Sequence, residues 1–225
     1  NPNSIIIVDP VTGNIGPSLA VGSEPTKLAI SDDGQFLYVG LDGEGAVRRV
    51  ILSTFTADIK FSLGTVQVGC GVNRAVDLKV LPGTPHSVAI ARSATLCEPL
   101  FSVAIYDDGV QRSNTTPDPS TEITSITFPQ SPSTLYGYDS LKTGFVTMAI
   151  DPLGVSIGNI TTGLLSGGIL GAGEIEFDAG RIYASNAAVI DPVSRTLVGN
   201  FQNPLLPTLP SLSLVKPDFS LGRVF

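Results

Sequence analysis

Residues 25–40 read P-T-K-L-A-I-S-D-D-G-Q-F-L-Y-V-G, and this stretch decides the fold class. A short apolar run is followed by an Asp-Asp-Gly turn and by a second apolar run that contains a tyrosine. Gly and Asp favour tight turns, whereas β-branched and aromatic residues favour strands. The stretch therefore predicts a β-hairpin.

Related hairpin segments occur at residues 122–139 (E-I-T-S-I-T-F-P-Q-S-P-S-T-L-Y-G-Y-D) and 174–186 (E-I-E-F-D-A-G-R-I-Y-A-S-N). A further strand that ends in Asp-Pro recurs at residues 5–13, 148–154 and 188–194. A repeat of about 40 to 50 residues that contains only strands and turns is typical of β-propeller blades. The sequence therefore predicts an all-β propeller with four-stranded antiparallel blades.

The predicted strands of each blade are called a to d from the axis outward. Three blades are regular, with strands at 27–31, 36–39, 47–52 and 57–63, then at 123–128, 134–138, 145–151 and 155–161, then at 174–177, 181–185, 188–191 and 196–201. The blade between the first two is irregular, with strands at 86–91 (a), 102–106 (b) and 111–115 (c) and an excursion at 93–100. Leu28 and Ile30 point to the opposite side from Ala29, which predicts an a strand that is buried on both faces.

The chain begins with predicted c and d strands at 4–8 and 19–21 and ends with predicted a and b strands at 212–215 and 222–225. Two alternatives follow for residues 1–225. These end strands share one blade and close a five-bladed ring, or the single propeller domain is part of a larger ring in a longer chain. Because the chain lacks an initiator Met and a signal peptide, we expect a mature or excised piece.

The composition limits the function classes. The 225 residues carry a net charge of −7, and the 13 Lys and Arg residues form no cluster beyond Arg48-Arg49, which argues against a nucleic-acid partner. No apolar run reaches about 18 residues, so no transmembrane segment is predicted. Charged residues are only 15% of the chain, while 24 Gly and 17 Pro supply turns.

Several segments resemble bacterial YVTN-type β-propeller proteins. They are residues 21–40, 103–112 (V-A-I-Y-D-D-G-V-Q-R), 134–138 (T-L-Y-G-Y) and 181–192 (R-I-Y-A-S-N-A-A-V-I-D-P). The resemblance extends over nearly the whole chain. It implies a secreted or cell-surface, extracytoplasmic propeller, usually with about seven blades and often joined to other surface modules. It implies no catalytic residue.

Loops before a strands and after b strands converge on one mouth of the axial channel in a propeller. Seven residues in such loops are the predicted ligand-binding positions: Glu24, Asp42, Glu44, His86, Asp139, Glu174 and Asn186. The leading hypothesis is a non-enzymatic binding or structural module for a protein or carbohydrate ligand. The alternative is a glycosidase or lactonase-type hydrolase that uses carboxylates at the mouth, since paired carboxylates perform acid and base catalysis.

Other motifs give little further chemistry. Cys70 and Cys97 are either a disulfide pair or two reduced thiols, and neither lies in a metal-binding pattern. With a single histidine, His86, no zinc site is predicted, and the Asp-Asp-Gly turns lack the complete calcium-loop pattern. No nucleotide-binding glycine motif opens a helix, so no cofactor is predicted.

Overall fold

A computed structural model describes residues 3–65, 69–94, 96, 100–116, 121–166, 173–201 and 214–225. These residues form four four-stranded sheets and two two-stranded sheets, all antiparallel. Their one helical element is the 3-10 turn Asp42–Glu44, and none of them belongs to a helix that is long and apolar enough to cross a bilayer. The chain divides into two compact units: Asn1–Leu100 with Ile105–Gln111 (unit 1), and Phe101–Ala104 with Arg112–Phe225 (unit 2).

The strands of each sheet follow one another along the chain, and the sheets are numbered in chain order. Sheet 1 contains β1 (Ser4–Val8) and β2 (Ile15–Ala20), and sheet 2 contains β3 (Pro25–Ile30), β4 (Phe36–Leu41), β5 (Ala46–Ile51) and β6 (Thr56–Ser62). Sheet 3 contains β7 (Asn73–Leu81), β8 (Thr84–Ala94), β9 (Phe101–Asp107) and β10 (Val110–Gln111). Sheet 4 contains β11 (Ile123–Thr127), β12 (Thr134–Asp139), β13 (Gly144–Asp151) and β14 (Gly154–Thr161). Sheet 5 contains β15 (Ile175–Asp178), β16 (Arg181–Ala184), β17 (Ala188–Asp191) and β18 (Thr196–Asn200), and sheet 6 contains β19 (Pro217–Asp218) and β20 (Arg223–Val224).

The strand assignments for sheets 2, 4 and 5 are confirmed, with differences of one or two residues at the strand ends. The Asp-Pro segments are turns in which the carboxylate accepts backbone N–H groups. Asp151 Oδ1 accepts from Leu153 N at 2.8 Å and from Gly154 N at 3.0 Å. Asp191 Oδ1 accepts from Val193 N at 2.9 Å in the same way. These aspartates therefore serve the turn between the third and fourth strands.

The assignment for sheet 3 is wrong by one strand. The sheet begins with β7, which was not predicted, so residues 86–91 belong to the second strand instead of the first. Two β-bulges interrupt the pairing of β7 with β8, between Ala75 and Asp77 and between Val80 and Leu81. Because bulges break the alternation of inward and outward side chains, β7 lacks the apolar period of a regular strand.

Two of the predicted segments include residues that the structure does not describe. Residues 95 and 97–99 of the predicted excursion and 212–213 of the last predicted a strand are not among the described residues. The strand that does pair with β20 is β19, which begins at Pro217, later than predicted.

Two apolar clusters show what the sheets bury. In unit 1, the hairpin β1–β2 packs through Ile5 and Leu19 on one face of sheet 2, against Leu37, Val39 and Leu41. In unit 2, a second cluster combines residues of sheets 4 and 5, among them Tyr136, Phe145, Ile175, Ile182 and Ile190. Burial of apolar faces between successive sheets is therefore the main stabilising contact within each unit.

The expectation that β3 is buried on both faces is wrong. Leu28 is 59% exposed and Ile30 is 61% exposed. They lie opposite Val39 and Leu37 of β4, on the same face of sheet 2 that the hairpin β1–β2 covers. The hairpin therefore covers β4 and leaves β3 open.

Candidate functional site

Three of the predicted site residues lie together at one end of sheet 2. Glu24 precedes β3, while Asp42 and Glu44 lie in the 3-10 turn that joins β4 to β5. Antiparallel pairing brings these two connections side by side, and Asp42 N donates to the Glu24 carbonyl oxygen at 3.0 Å. Thr26 Oγ1 donates to Asp42 Oδ1 at 3.0 Å. The structure thus brings Glu24, Asp42 and Glu44 together in unit 1.

Glu44 is the most strongly bound of these carboxylates. Its Oε1 accepts from Ser23 N at 2.7 Å, and its Oε2 accepts from Lys60 Nζ at 2.5 Å. The hydrogen bond from Lys60, followed by the one from the Ser23 N–H, lowers the pKa of Glu44. A general acid needs a raised pKa at neutral pH. Glu44 is therefore an ionised group that fastens the turn to its neighbours.

Asp139, Glu174 and Asn186 occupy the corresponding end of sheets 4 and 5 in unit 2. Glu174 precedes β15, and its carbonyl oxygen accepts from Ser185 N at 3.0 Å, as Glu24 accepts from Asp42 N in sheet 2. Glu174 Oε2 also accepts from Val215 N at 3.3 Å. Asn186 Nδ2 donates to the Leu165 carbonyl at 2.7 Å, and Asn186 Oδ1 accepts from Ala188 N at 3.1 Å. Both side chains hold connections in place.

Asp139 is fully buried. Its Oδ1 accepts three backbone N–H groups, from Glu122 and Leu141 at 3.1 Å and from Lys142 at 3.4 Å. Its Oδ2 has no hydrogen-bond partner among the residues that the structure describes. A buried carboxylate with several N–H donors on one oxygen is a turn-building group. The sequence placed Asp139 at the end of a strand but carried no sign of this burial.

His86 does not join the other predicted site residues of unit 1. It lies near the start of β8, next to the connection between β7 and β8. That connection contacts the Asp-Asp-Gly turn of sheet 2, where Gly83 N donates to Asp32 Oδ2 at 2.7 Å. The Asp-Asp-Gly turn is at the opposite end of sheet 2 from Glu24 and Asp42. The prediction that His86 precedes a first strand is therefore wrong.

His86 belongs to a charged network that the sequence did not reveal. Its centre is Arg49 on β5, a nearly buried guanidinium. Arg49 Nε donates to Asp58 Oδ2 at 2.7 Å, and Arg49 Nη1 donates to Asp108 Oδ1 at 2.6 Å. His86 Nδ1 lies 2.8 Å from the same Asp108 oxygen, and Arg49 Cζ lies 4.6 Å from the centre of the Phe36 ring. The network connects sheets 2 and 3 within unit 1.

The hydrogen bond from Arg49, and then the one from His86, lowers the pKa of Asp108. Within the described parts of the chain, the His86 ring contacts the side chains of Arg49, Asp108 and Phe36. An Asp–His pair activates a nucleophile only when a hydroxyl or thiol lies within hydrogen-bond reach of the histidine. This network is therefore suited to holding two sheets together by charge. Arg49 and Asp108 are 59 residues apart, so no local motif could have predicted it.

Each of the two units has a surface depression among its described residues. One, of about 310 Å³, is lined by Asp32, Asp33, Gly83 and Pro85. The other, of about 490 Å³, is lined by residues of the segments 113–116 and 155–157. Neither contains any of the seven predicted ligand-binding residues. No group of three or more His, Cys, Asp or Glu side chains is arranged to hold a metal ion in the described residues.

Cys70 is buried and disulfide-bonded. Its carbonyl oxygen accepts from Leu96 N at 3.0 Å, which places it at the same end of sheet 3 that Glu24 occupies in sheet 2. Cys97, the other cysteine of the chain, lies outside the described residues.

No protein-family profile matches this chain, and no curated protein sequence is similar to it. The resemblance to YVTN-type propellers stays a prediction.

Proposed function

We propose that this chain is a β-propeller of the type that its sequence resembles, and that it acts outside the cytoplasm as a binding or structural interaction module. The repeated sheets support the proposal. Sheets 2 to 5 each contain four antiparallel strands in chain order. Within unit 1, β3 contacts β7, and within unit 2, β11 contacts β15 and β15 contacts β19. These contacts support the proposal, because the first strands of neighbouring blades contact one another around the axis of a propeller.

The hydrogen bonds of the predicted carboxylates are the observation that supports a binding module over a hydrolase. Glu44 and Asp139 accept hydrogen bonds from backbone N–H groups or from a lysine, and Glu174 accepts one from Val215 N. A glycosidase needs two carboxyl groups about 5 to 9.5 Å apart that flank the bond to be cut. Carboxylates that already build turns support a scaffold for binding more than they support acid–base catalysis.

The location outside the cytoplasm is supported by the disulfide at Cys70, since disulfides persist mainly in oxidising compartments. We propose a protein or carbohydrate as the ligand, bound at the end of the sheets that carries Glu24 and Asp42.

The proposal is tested by measuring binding and turnover together. The purified chain is applied to an array of polysaccharides and surface proteins, and in parallel to aryl glycosides and lactones. We expect binding without turnover. Glu24→Gln should weaken binding because it removes an exposed charge at the proposed end, whereas Gln35→Ala, at the opposite end of the same sheet, should not. Turnover of a glycoside that Asp42→Asn abolishes would instead establish the hydrolase alternative.

A further inference from the structure

The depression of unit 2 lies between two short segments, 113–116 and 155–157. The first segment follows β10, and the second is part of β14. Its volume of about 490 Å³ is within the range of sites that bind small molecules. None of the described residues that line it is charged. The lining therefore offers a ligand hydrogen bonds and apolar contact without an ion pair.

The two segments are joined at one border of the depression by strand pairing. Asn114 N donates to the Leu153 carbonyl at 2.7 Å, and Val155 N donates to the Asn114 carbonyl at 3.2 Å. These hydrogen bonds make a parallel bridge between Asn114 and Gly154. The approach is so close that a Cβ placed on Gly154 would collide with the Asn114 carbonyl. The side chain of Asn114 therefore extends from a backbone that is fixed to β14.

The two segments separate after this bridge. Thr116 N donates to the Val103 carbonyl at 3.0 Å, and Thr116 Oγ1 accepts from Val103 N at 2.8 Å. Thr116 is thus bound to β9 and does not continue the parallel pairing with β14. The depression lies where the next bridge of a regular parallel pair would form.

Three polar side chains of the lining are available to a ligand. They belong to Asn114, Thr115 and Ser156, and none of them has a hydrogen-bond partner among the described residues. Asn114 and Ser156 are exposed, and Thr115 is half-buried. One amide and two hydroxyls can both donate and accept hydrogen bonds. Val155 and Ile157 contribute aliphatic surface to the same lining.

The chemistry of this lining matches a neutral sugar. Each sugar hydroxyl both donates and accepts a hydrogen bond, as the side-chain amide and hydroxyls of the lining do. The C–H groups of a sugar ring pack on aliphatic side chains. An extended peptide paired with the edge of β14 is the rival occupant. The depression favours the sugar, because only three residues of β14 line it, whereas paired strands usually extend over about five.

We propose that this depression is a second binding site, and that it takes one neutral sugar residue. Asn114 and Ser156 bind its hydroxyls from the two segments, while Val155 and Ile157 contact its ring. In sheet 4 the depression lies at the opposite end from Asp139, so it is separate from the predicted ligand-binding positions. The proposal does not require that the end of the sheets that carries Glu24 binds a ligand.

The test is a titration of the nitrogen-15-labelled chain with glucose, galactose, mannose and N-acetylglucosamine, followed by NMR. The side-chain amide of Asn114 reports directly on one segment, and the backbone amides of residues 155–157 report on the other. We expect these signals to shift saturably with at least one of the sugars. Absence of a saturable shift with all of them, or shifts that are confined to residues outside the depression, would overturn the proposal.

Two variants test the predicted hydrogen bonds. Asn114→Ala and Ser156→Ala should each weaken binding of that sugar about fivefold, since each removes one hydrogen bond to the ligand. Their side chains have no hydrogen-bond partner among the described residues, so the melting temperature should be retained. Asn159→Ala is the matched control, because Asn159 is exposed on β14 but does not line the depression. Equal affinities for the three variants would contradict the assigned contacts.

Two comparisons separate this site from its alternatives. Glu24→Gln should leave binding of the sugar at the depression unchanged, whether or not it weakens the ligand of the proposed function. A neutral peptide, acetyl-Thr-Val-Thr-Val-amide, should bind more weakly than the sugar. Tighter binding of the peptide, with shifts along the whole of β14, would replace the sugar by an extended peptide as the occupant.

Discussion

Sheets 2 and 4 build the same connection between their second and third strands in two different ways. In both, the residue after the second strand donates its N–H to the carbonyl of a glutamate that precedes the first strand: Asp42 to Glu24, and Ser140 to Glu122. The last residue of the second strand is Leu41 in one sheet and Asp139 in the other. Both are buried. An aliphatic side chain and a carboxylate thus occupy equivalent buried positions.

The difference lies in what supports the connection. In sheet 4, Asp139 accepts three N–H groups and thereby holds the turn at residues 140–143. In sheet 2, a 3-10 turn ends at Gly45 in the left-handed conformation, and Glu44 reaches across to Ser23 N. Leu41 is therefore free to join the apolar cluster. A repeat can conserve its backbone path while the supporting group moves from one side chain to another.

The most severe test of this comparison exchanges the buried residue. Leu41→Asp should lower the free energy of unfolding by about 4 kcal/mol or more, because it places a charge in an apolar cluster without the three N–H donors that Asp139 has. Chemical denaturation measures the effect. Leu41→Ala, which leaves only a cavity, is the control and should cost about 3 kcal/mol. A loss below about 1.5 kcal/mol for the aspartate would show that sheet 2 can adopt the connection of sheet 4.

The reverse change removes the support of sheet 4. Asp139→Ala should cost about 3 kcal/mol, since three backbone N–H groups lose their acceptor and net contributions near 1 kcal/mol are usual for each. Asp139→Asn should cost clearly less, because the amide oxygen can accept the same three hydrogen bonds. Equal losses for the two variants in urea denaturation would mean that the negative charge, and not the acceptor, is what the turn needs.

The sequence predicts that Leu41 and Asp139 lie near strand ends, but it does not predict that the carboxylate of Asp139 is buried. The alternation of apolar and turn residues was enough to place Leu41 and Asp139 near strand ends, and sheets 2, 4 and 5 followed from it. The same alternation does not predict β7. Its buried apolar residues Ala75, Leu78 and Leu81 are three positions apart, because β-bulges interrupt its pairing with β8. Burial of a carboxylate depends on which chain segments fold over it, and a sequence pattern of period two carries no such information.

The candidate site was predictable to a similar extent. Glu24, Asp42 and Glu44 were expected in adjoining loops because antiparallel strands return to the same end of a sheet. The partners of these residues, such as Lys60 for Glu44, depend on side-chain directions. The network around Arg49 depends on the packing of sheet 3 against sheet 2. Neither leaves a local trace in the sequence.

The glycine that ends the 3-10 turn gives a smaller test. Gly45 has φ +57°, and a Cβ placed on it would lie 2.6 Å from the Val72 Cβ. Gly45→Ala should therefore cost about 2 kcal/mol through strain and collision. Gly13 is the control, because it also has positive φ, but a Cβ placed on it would have no neighbouring atom within 4 Å. Similar melting temperatures for Gly45→Ala and Gly13→Ala would show that the collision with Val72 does not destabilise the protein.

The turn of sheet 4 should respond in the opposite direction. Thr143 has φ +46°, a conformation that a β-branched residue adopts at a cost. Thr143→Gly should raise the free energy of unfolding by about 0.5 kcal/mol, the relief of strain being partly offset by the greater freedom of glycine in the unfolded chain. A melting curve detects the gain, and a decrease would indicate that the Thr143 hydroxyl, which donates to the Lys142 carbonyl, matters more than the strain.

The smallest expected effect is a dependence on pH that belongs to sheet 2. The pKa of Glu44 is lowered in the folded chain, chiefly by Lys60 and then by the Ser23 N–H. A lowered pKa contributes stability above the ordinary glutamate pKa, and this stability is lost as the pH falls through the folded value. Glu44→Gln should therefore be less stable than the wild type at pH 7, and the difference should shrink as the pH is lowered below about 4. A difference that is constant with pH would assign the effect to shape and not to charge.

Every strand pairing described in the sheets joins strands that are consecutive in the chain. The polypeptide therefore needs to close only short loops to form each sheet, and the entropy lost in closing a loop grows with its length. All-β proteins usually fold slowly because their strands pair across long separations. Here each sheet can form on a nascent chain as soon as its last strand has been synthesised, before the strands of the following sheets have been synthesised.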